Sequence, residues 1–174
     1  MINGENVKNF QVARMSPLIL GLTVLVLALP PALVVGALLG RRMLALPAAF
    51  LVVLYIWVWL WFRPTRFVVH GGGIRVVWPL RNCEIPREDI SIARVVERRD
   101  LLREIGFALR IGVGGLWGGF GWLWTTRRGL VRMYITRTDR FVWIERVGGR
   151  PWLITPENPD EFVRALGFGL DSGA

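Results

Sequence analysis

The sequence predicts two membrane-spanning helices followed by a small all-β domain that is capped by a C-terminal helix. Three observations support this fold class. Of the 174 residues, 53% are apolar, too many for an ordinary soluble domain, while 20% are charged, too many for a bundle buried wholly in lipid. Two long uncharged stretches lie in the first third of the chain, at residues 17–40 and 43–62. After residue 63, apolar and polar residues alternate as they do in half-buried strands.

Each uncharged stretch is long enough to cross a bilayer, which takes about 20 residues of helix. Because hydrocarbon offers the backbone no hydrogen-bond partners, both stretches are predicted to be helical. Only Arg41 and Arg42 connect them, so we expect an antiparallel hairpin. Pro30 and Pro31 lie in the middle of the first stretch, where they kink a spanning helix or make it re-entrant. A signal peptide is a weaker interpretation, because its apolar region is typically only about 7–15 residues.

Basic residues near the ends of the two stretches predict their orientation. Two lie on the connection, and the opposite side carries Lys8, Arg14, Arg63, Arg66, Arg75 and Arg81. Since cytoplasmic segments carry the excess of Lys and Arg, we expect a two-pass plasma-membrane protein with both termini in the cytoplasm. The predicted organisation is an N-terminal cytoplasmic segment (1–16), a transmembrane hairpin (17–62, with spans 17–40 and 43–62) and a cytoplasmic domain (63–174).

Aromatic residues are concentrated at the end of the second stretch. They are Tyr55, Trp57, Trp59 and Trp61. Rings of this kind favour the headgroup level of a bilayer, so the four residues are predicted to form an interfacial belt. No ionisable residue lies inside either stretch, which argues against a retinal-like cofactor pocket and against ion or proton transport.

Alternation and turn residues predict about seven strands and one helix after residue 63. The predicted strands cover residues 65–70, 74–78, 81–85, 90–96, 131–135, 141–146 and 150–154, with a further candidate at 107–111. Asn158 and Pro159 then predict a helix start, and the apolar stripe of this helix (Phe162, Val163, Leu166) is expected to face the core. This element order predicts a small antiparallel barrel or sandwich with the helix over one open end.

Several segments of the C-terminal part occur together in one known family. A strand hairpin follows the two apolar stretches, and after it come a Gly/aromatic segment at 112–124 and segments 130–136, 138–139, 141–145, 152–156 and 160–162. With these segments, residues 65–167 resemble the bacterial pleckstrin-homology-like (PH) domain family of small membrane proteins. The resemblance implies two nearly orthogonal antiparallel sheets with a C-terminal helix, and no catalytic chemistry. Eukaryotic PH domains often bind phosphoinositides through a basic first hairpin loop. The loop His70–Gly73 has only Arg75 nearby, so this binding is not expected here.

The segment Gly112–Trp124 is predicted to be a flexible apolar loop. Its glycines alternate with aromatic residues in a spacing that fits neither a dinucleotide fingerprint nor a phosphate-binding P-loop. Three interpretations remain open: packing between strands, insertion into the membrane interface with arginines on lipid phosphates, and docking of a membrane partner. The predicted membrane or partner contacts are Trp117, Phe120, Trp122, Trp124, Arg127 and Arg128.

Candidate catalytic and metal-binding residues are few. One Cys and one His exclude a disulfide scaffold and a Cys/His zinc site. The acidic residues Glu84, Glu88 and Asp89 do not have the spacing of a calcium loop. We therefore expect no catalytic residue, metal or cofactor. The net charge of +9 raises the question of nucleic-acid binding, but the arginines are dispersed, and no nucleic-acid partner is expected.

The sequence thus predicts a non-enzymatic, membrane-anchored PH-like interaction module that docks on the inner leaflet or on a membrane protein. Anchoring raises the local concentration of the domain at the bilayer, so that even a weak contact is occupied. The alternative is a structural subunit of a larger membrane complex, because Gly36 and Gly40 have the spacing that allows close helix packing. A membrane enzyme without an identifiable site is the third hypothesis. The expected partners are the lipid bilayer and a membrane protein, and the sequence leaves a homo-oligomer open.

Overall fold

A computed structural model describes residues 7–168, so residues 1–6 and 169–174 of the predicted first and last segments lie outside the description. The described chain contains ten strands and five α-helices. In chain order they are β1 (Lys8–Gln11), α1 (Pro17–Leu27), α2 (Leu29–Leu38), α3 (Ala45–Trp61), β2 (Arg66–His70), β3 (Gly73–Val77), β4 (Asn82–Pro86), β5 (Ile90–Val96), α4 (Arg98–Ile105), β6 (Ala108–Gly114), β7 (Gly119–Thr125), β8 (Gly129–Ile135), β9 (Phe141–Arg146), β10 (Trp152–Ile154) and α5 (Pro159–Ala165).

Two helical stretches are long and apolar enough to cross a membrane, Pro17–Leu38 and Arg42–Trp61. Only 17% of the first stretch and 11% of the second are buried inside the protein. They therefore differ from the core helix of a soluble domain, which is mostly buried. A short 3₁₀ turn at Arg42–Leu44 joins α2 to α3, which pack against each other. Gly36 allows this packing, since a Cβ there would lie 2.7 Å from Cδ1 of Leu44.

The two prolines divide the first stretch into α1 and α2 at Ala28. Because Pro30 has no N–H, the carbonyl of Val26 has no helical hydrogen-bond donor. The hydroxyl of Tyr55 on α3 donates to this carbonyl at 2.8 Å. Helical hydrogen bonding resumes with the N–H of Ala32, which donates to the carbonyl of Ala28 at 3.2 Å. The prolines thus interrupt one turn of a stretch that continues as a helix.

The strands form two sheets whose facing sides enclose the main core. The first sheet has the order β1-β2-β3-β4 and is antiparallel, and the second has the order β5-β9-β10-β8-β7-β6, in which only β8 and β10 are parallel. The core includes Phe67, Ile74, Trp152 and Ile154. Helix α5 packs on this core through the predicted stripe of Phe162, Val163 and Leu166, which confirms the expected position of that helix.

A second core lies on the other face of the second sheet. Leu101 and Ile105 of α4 pack there against Val131, Met133 and Trp143. The charged stretch that contains α4 was not predicted to form a helix or a strand. It is instead an amphipathic helix whose buried residues Leu101 and Ile105 cover the sheet, while its arginines lie on the exposed side.

The prediction of about seven strands is wrong, because the described chain has ten. One additional strand is β1, in which only Phe10 is buried, so that it has little of the alternation by which strands are recognised. The others belong to the hairpin β6–β7, which covers most of the segment predicted to be a flexible loop. Gly112 and Gly121 face each other across this hairpin with φ values of +140° and +126°. A Cβ on Gly112 would lie 2.4 Å from the Phe120 carbonyl oxygen, so the strands approach too closely for side chains at this pair.

The N-terminal segment is attached to the β domain before the first apolar helix begins. Strand β1 pairs with β2 as the edge of the first sheet. The N–H of Ala13 donates to the carbonyl of Thr155 at 2.9 Å, and the N–H of Ser16 donates to the carbonyl of Thr136 at 3.1 Å. The buried hydroxyl of Thr136 donates to the carbonyl of Ala13 at 2.6 Å. The start of α1 therefore has a fixed position on the domain.

The end of α3 is attached to the same domain. Pro64 lies three residues after the last residue of α3 and is buried. The indole N–H of Trp78 donates to the carbonyl of Phe62 at 3.2 Å, and the N–H of Thr65 donates to the carbonyl of Val77 at 2.8 Å. We call the two stretches Pro17–Leu38 and Arg42–Trp61 the apolar helix pair. Both ends of this pair are thus hydrogen-bonded to the β domain.

Replacing Tyr55 by Phe should destabilise the helix pair, because it removes the donor to the Val26 carbonyl. We expect a loss of about 0.5–1.5 kcal/mol in the free energy of unfolding of the detergent-solubilised chain. Pro30→Ala supplies a backbone N–H to the same carbonyl, so Tyr55→Phe should cost less in that background. An equal cost of Tyr55→Phe in both backgrounds would contradict this account of the proline break.

Candidate functional site

The turn of hairpin β6–β7 lies against the apolar helices. The N–H of Trp117 donates to the hydroxyl oxygen of Thr23 on α1 at 2.9 Å, and that hydroxyl lies 3.1 Å from the Gly115 carbonyl oxygen. The Trp117 ring contacts the ring of Trp59 on α3 edge to face, with 4.7 Å between the centroids. The β domain therefore contacts both α1 and α3 through this one turn.

Trp117 occupies a backbone conformation that favours glycine. Its φ is 59°, in the left-handed region, where a bulky residue costs about 1–2 kcal/mol. Gly115 and Gly118 flank the same turn. The contact between the Trp117 ring and the Trp59 ring explains why a tryptophan occupies this position.

A half-buried arginine continues this contact at the end of α3. The guanidinium carbon of Arg63 lies 4.1 Å from the centre of the Trp59 ring, the geometry of a cation–π interaction. Burial lowers the pKa of the Arg63 guanidinium from its ordinary value. Arginine nevertheless stays charged at neutral pH. Arg63 thus places a cation beside the aromatic rings where the helix ends.

The three remaining aromatic residues predicted for the contact lie on one face of β7 but in different surroundings. Phe120 is 0% exposed and belongs to the core between the sheets, so it is not available for an external contact. Trp122 is half-buried, and Trp124 is 45% exposed. The face of β7 therefore runs from the core at Phe120 to solvent at Trp124.

Strand β6 extends this exposed surface. Leu109 pairs with Trp124, and Ile111 pairs with Trp122, so the four side chains lie on one face of the hairpin. Leu109 is 54% exposed and Ile111 is 52% exposed. We call Leu109, Ile111, Trp122 and Trp124 the apolar hairpin face. It lies at the edge of the second sheet, because β6 is the last strand there.

The structure does not bring Arg127 and Arg128 to the turn that contains Trp117. They follow the other end of β7, which has seven residues and is about 20 Å long. Arg128 forms ion pairs with Glu104 and with Glu145, the latter at 3.2 Å. Arg127 donates to the carbonyl of Arg103 at 2.6 Å and is otherwise exposed. The guanidinium of Arg128 is thus already paired with two carboxylates.

The predicted aromatic belt lies on the last turns of α3. Trp57, Trp59 and Trp61 are each exposed, while Tyr55 is partly buried by its hydrogen bond to α1. Trp57 and Trp61 lie near Ile111 of the apolar hairpin face, because all three line one pocket. The end of α3 and the hairpin thus form one continuous surface of aromatic and apolar side chains.

Sequence reasoning missed three residues of the candidate site. Thr23 lies inside an uncharged stretch, where a single hydroxyl gives no signal of a tertiary contact. Leu109 and Ile111 lie in the segment 107–111, which was a further candidate beside the seven predicted strands. The alternation of Leu109 and Ile111 with Arg110 was a usable signal for the exposed face. Within residues 7–168, no group of three His, Cys, Asp or Glu side chains is placed to hold a metal ion.

Comparison with known proteins identifies the β domain. The family model described as "Bacterial PH domain" matches residues 65–167, more than half of the 174-residue chain. No curated protein and no solved structure matches the chain.

Thr23→Val should weaken the attachment of the hairpin turn to α1. Valine has the shape of threonine but no hydroxyl, so the Trp117 N–H loses its acceptor. We expect a loss of about 1–3 kcal/mol in unfolding free energy and faster hydrogen exchange of the Trp117 amide. The matched control is Thr65→Val, which removes an exposed hydroxyl bonded to the Val77 carbonyl and should change stability by less than about 0.5 kcal/mol. Unchanged exchange at Trp117 would contradict the contact.

Proposed function

Because the chain belongs to the bacterial PH domain family, we propose that it is a membrane-anchored, non-enzymatic interaction module that docks on the inner leaflet. PH domains are typically interaction modules without catalytic activity, which supports the assignment of this class. In the proposed arrangement, the two apolar helices cross the plasma membrane. The PH-like domain then lies on the cytoplasmic side, with the apolar hairpin face in the membrane interface.

One observation carries this proposal: exposed apolar side chains continue from α3 onto the hairpin. Trp57 and Trp61 are exposed at the end of α3, and Ile111 and Leu109 continue the surface along β6. Left in water, such contiguous apolar surface is unfavourable by about 25 cal/mol per Å². A bilayer interface covers it, and aromatic rings are favoured at that depth.

The attachment of both helix ends to the domain supports the proposed orientation. Since Ser16 and Phe62 both lie next to the β domain, the two termini of the helix pair are on one side of the bilayer. The basic residues on that side outnumber those at the Arg41–Arg42 connection. The excess of Lys and Arg marks the cytoplasmic side, so the domain and both termini are cytoplasmic in this proposal.

The second candidate is a structural subunit of a larger membrane complex. It is favoured by β6, an edge strand whose outward side chains Leu109 and Ile111 would also suit a protein partner. The glycine spacing gives less support, since Leu44 already occupies the space at Gly36, although a Cβ at Gly21 or Gly40 meets no atom within 4 Å. In this alternative, a protein covers the apolar hairpin face.

Spin labels on the full chain in lipid nanodiscs distinguish the two candidates. A Cys83→Ser background removes the single cysteine, and Leu109→Cys places a label on the apolar hairpin face. Relaxation of the Leu109 label should respond more to oxygen, which concentrates in lipid, than to a water-soluble nickel complex. The matched control is Val147→Cys, which replaces an exposed apolar residue just after the C-terminal end of β9. Relaxation of this label should respond more to the nickel complex than to oxygen.

Two outcomes of this experiment would overturn docking on the leaflet, and they differ in what they say about the structural subunit. A Leu109 label as accessible to nickel as the Val147 label would overturn docking on the leaflet. A Leu109 label protected from both reagents would also overturn it, in favour of the structural subunit.

A further inference from the structure

A pocket of about 350 Å³ lies between the end of α3 and the open edge between the two sheets. Arginine and aromatic side chains dominate its lining: Trp57, Trp61, Arg81, Trp122, Arg132 and Tyr134. No carboxylate lines the pocket among residues 7–168. The pocket is therefore positively charged and aromatic, and it lies at the level of the last turns of α3.

The two arginines of this pocket are not neutralised by acidic residues. Arg75, Arg94 and Arg146 all form ion pairs with carboxylates at 2.5–2.7 Å. Arg81 and Arg132 form no ion pair with any described residue. The Nε atom of Arg81 is, in addition, buried without a hydrogen-bond partner in the described chain. Buried polar groups are nearly always hydrogen-bonded, so this donor is available to a bound molecule.

Aromatic rings fix the positions of both guanidinium groups. The guanidinium carbon of Arg132 lies 4.9 Å from the Trp152 ring centre and 5.2 Å from that of Trp122. The guanidinium carbon of Arg81 lies 4.6 Å from the centre of the Trp78 ring. Stacking of this kind orients a guanidinium plane and leaves its N–H groups free to donate. The pocket thus presents two oriented forks of donors, which match the oxygens of a phosphate.

Tyr134 adds a phenol group to the lining of the pocket. It is buried, and burial raises the pKa of its phenol, against the lowering effect of Arg132 and Arg81. The phenol therefore stays protonated at neutral pH and does not neutralise the arginines.

The room in this pocket depends on Gly112 and Gly121, which also line it. A side chain at either position would clash with the carbonyl of the opposite strand. The same pair that brings β6 and β7 close together thus leaves an open space beside Trp122.

We propose that this pocket binds the phosphate of an anionic phospholipid, with Arg81 and Arg132 donating to the phosphate oxygens. Trp57 and Trp61 then contact the glycerol and the first carbons of the acyl chains. The proposal rests on the proposed function, because a bilayer lipid reaches the pocket only if α3 crosses the membrane. A phospholipid fits better than a free phosphate anion, since the lining also contains apolar side chains, and two of them, Trp57 and Trp61, belong to α3. The site differs from the first hairpin loop, which lies at His70–Gly73.

Lipid binding by the full chain in nonionic detergent tests this assignment. Native mass spectrometry measures retention of phosphatidylglycerol, with phosphatidylcholine and glycerol phosphate as the comparison ligands. We expect phosphatidylglycerol to be retained in preference to both. The double substitution Arg81→Gln and Arg132→Gln should weaken its binding roughly ten- to hundredfold, because hydrogen bonds between charged groups are lost.

The matched control is Arg98→Gln with Arg99→Gln, which removes the same charge from two exposed arginines of α4 and should leave lipid binding unchanged. Arg132→Lys keeps the charge but not the fork, so it should give intermediate binding. It also provides a test if the double variant does not fold. Equal retention of phosphatidylcholine, or no effect of Arg132→Lys and of the double variant, would overturn the proposal. Equally tight glycerol phosphate binding would overturn the lipid assignment in favour of a free anion.

The lipid-binding pocket and the proposed function can be refuted separately. A Leu109 label that lies in lipid, together with no preference for phosphatidylglycerol, refutes the pocket alone. A Leu109 label in water, together with phosphatidylglycerol binding in detergent, refutes docking of the hairpin alone.

Discussion

Hydrogen bonds join the residues on both sides of the apolar helix pair to one β domain. Ala13 and Ser16 are bonded to Thr155 and Thr136 before α1 begins, and the carbonyl of Phe62 accepts from Trp78 after α3 ends. A domain attached at one end of a linker can move away from its anchor, whereas attachment at both ends fixes its position and orientation. The hairpin β6–β7 adds a third connection through Thr23. The position of each candidate contact residue relative to the helices follows from these three attachments.

This arrangement separates the arginines into two groups with different chemistry. Arg128 is paired with Glu104 and Glu145 on the side of the domain away from the hairpin turn, where it stabilises the packing of α4. Arg81 and Arg132 lie next to the end of α3 without carboxylate partners and are held by aromatic rings. The net charge of +9 counts the arginines of both groups and does not distinguish one group from the other. Only the positions of the acidic residues show which arginines are free to meet a phosphate.

Elements with strong local signals could be predicted from the sequence, and those that depend on distant partners could not. The apolar stretches, the hairpin β2–β3 and the start of α5 at Pro159 have such signals. Strand β1 becomes a strand only by pairing with β2, which lies beyond both apolar helices. The segment 112–124 resembles a loop because of its glycines, yet these glycines permit the close approach of two strands. The aromatic residues of the hairpin and of α3 were predicted as contacts, which stays a prediction, whereas Arg81 and Arg132 line one pocket only in the folded domain.

In the proposed arrangement, the helix pair crosses the bilayer and holds the PH-like domain at its cytoplasmic face. Labelling of cells with a membrane-impermeant maleimide tests it most directly, in a Cys83→Ser background. Met43→Cys places a thiol at the connection between the helices, where Met43 is 90% exposed, and Asp139→Cys places one on the exposed turn before β9. We expect the thiol at position 43 to react in intact cells and the thiol at position 139 to react only after permeabilisation. Reaction of both thiols in intact cells, or of position 139 alone, would contradict it.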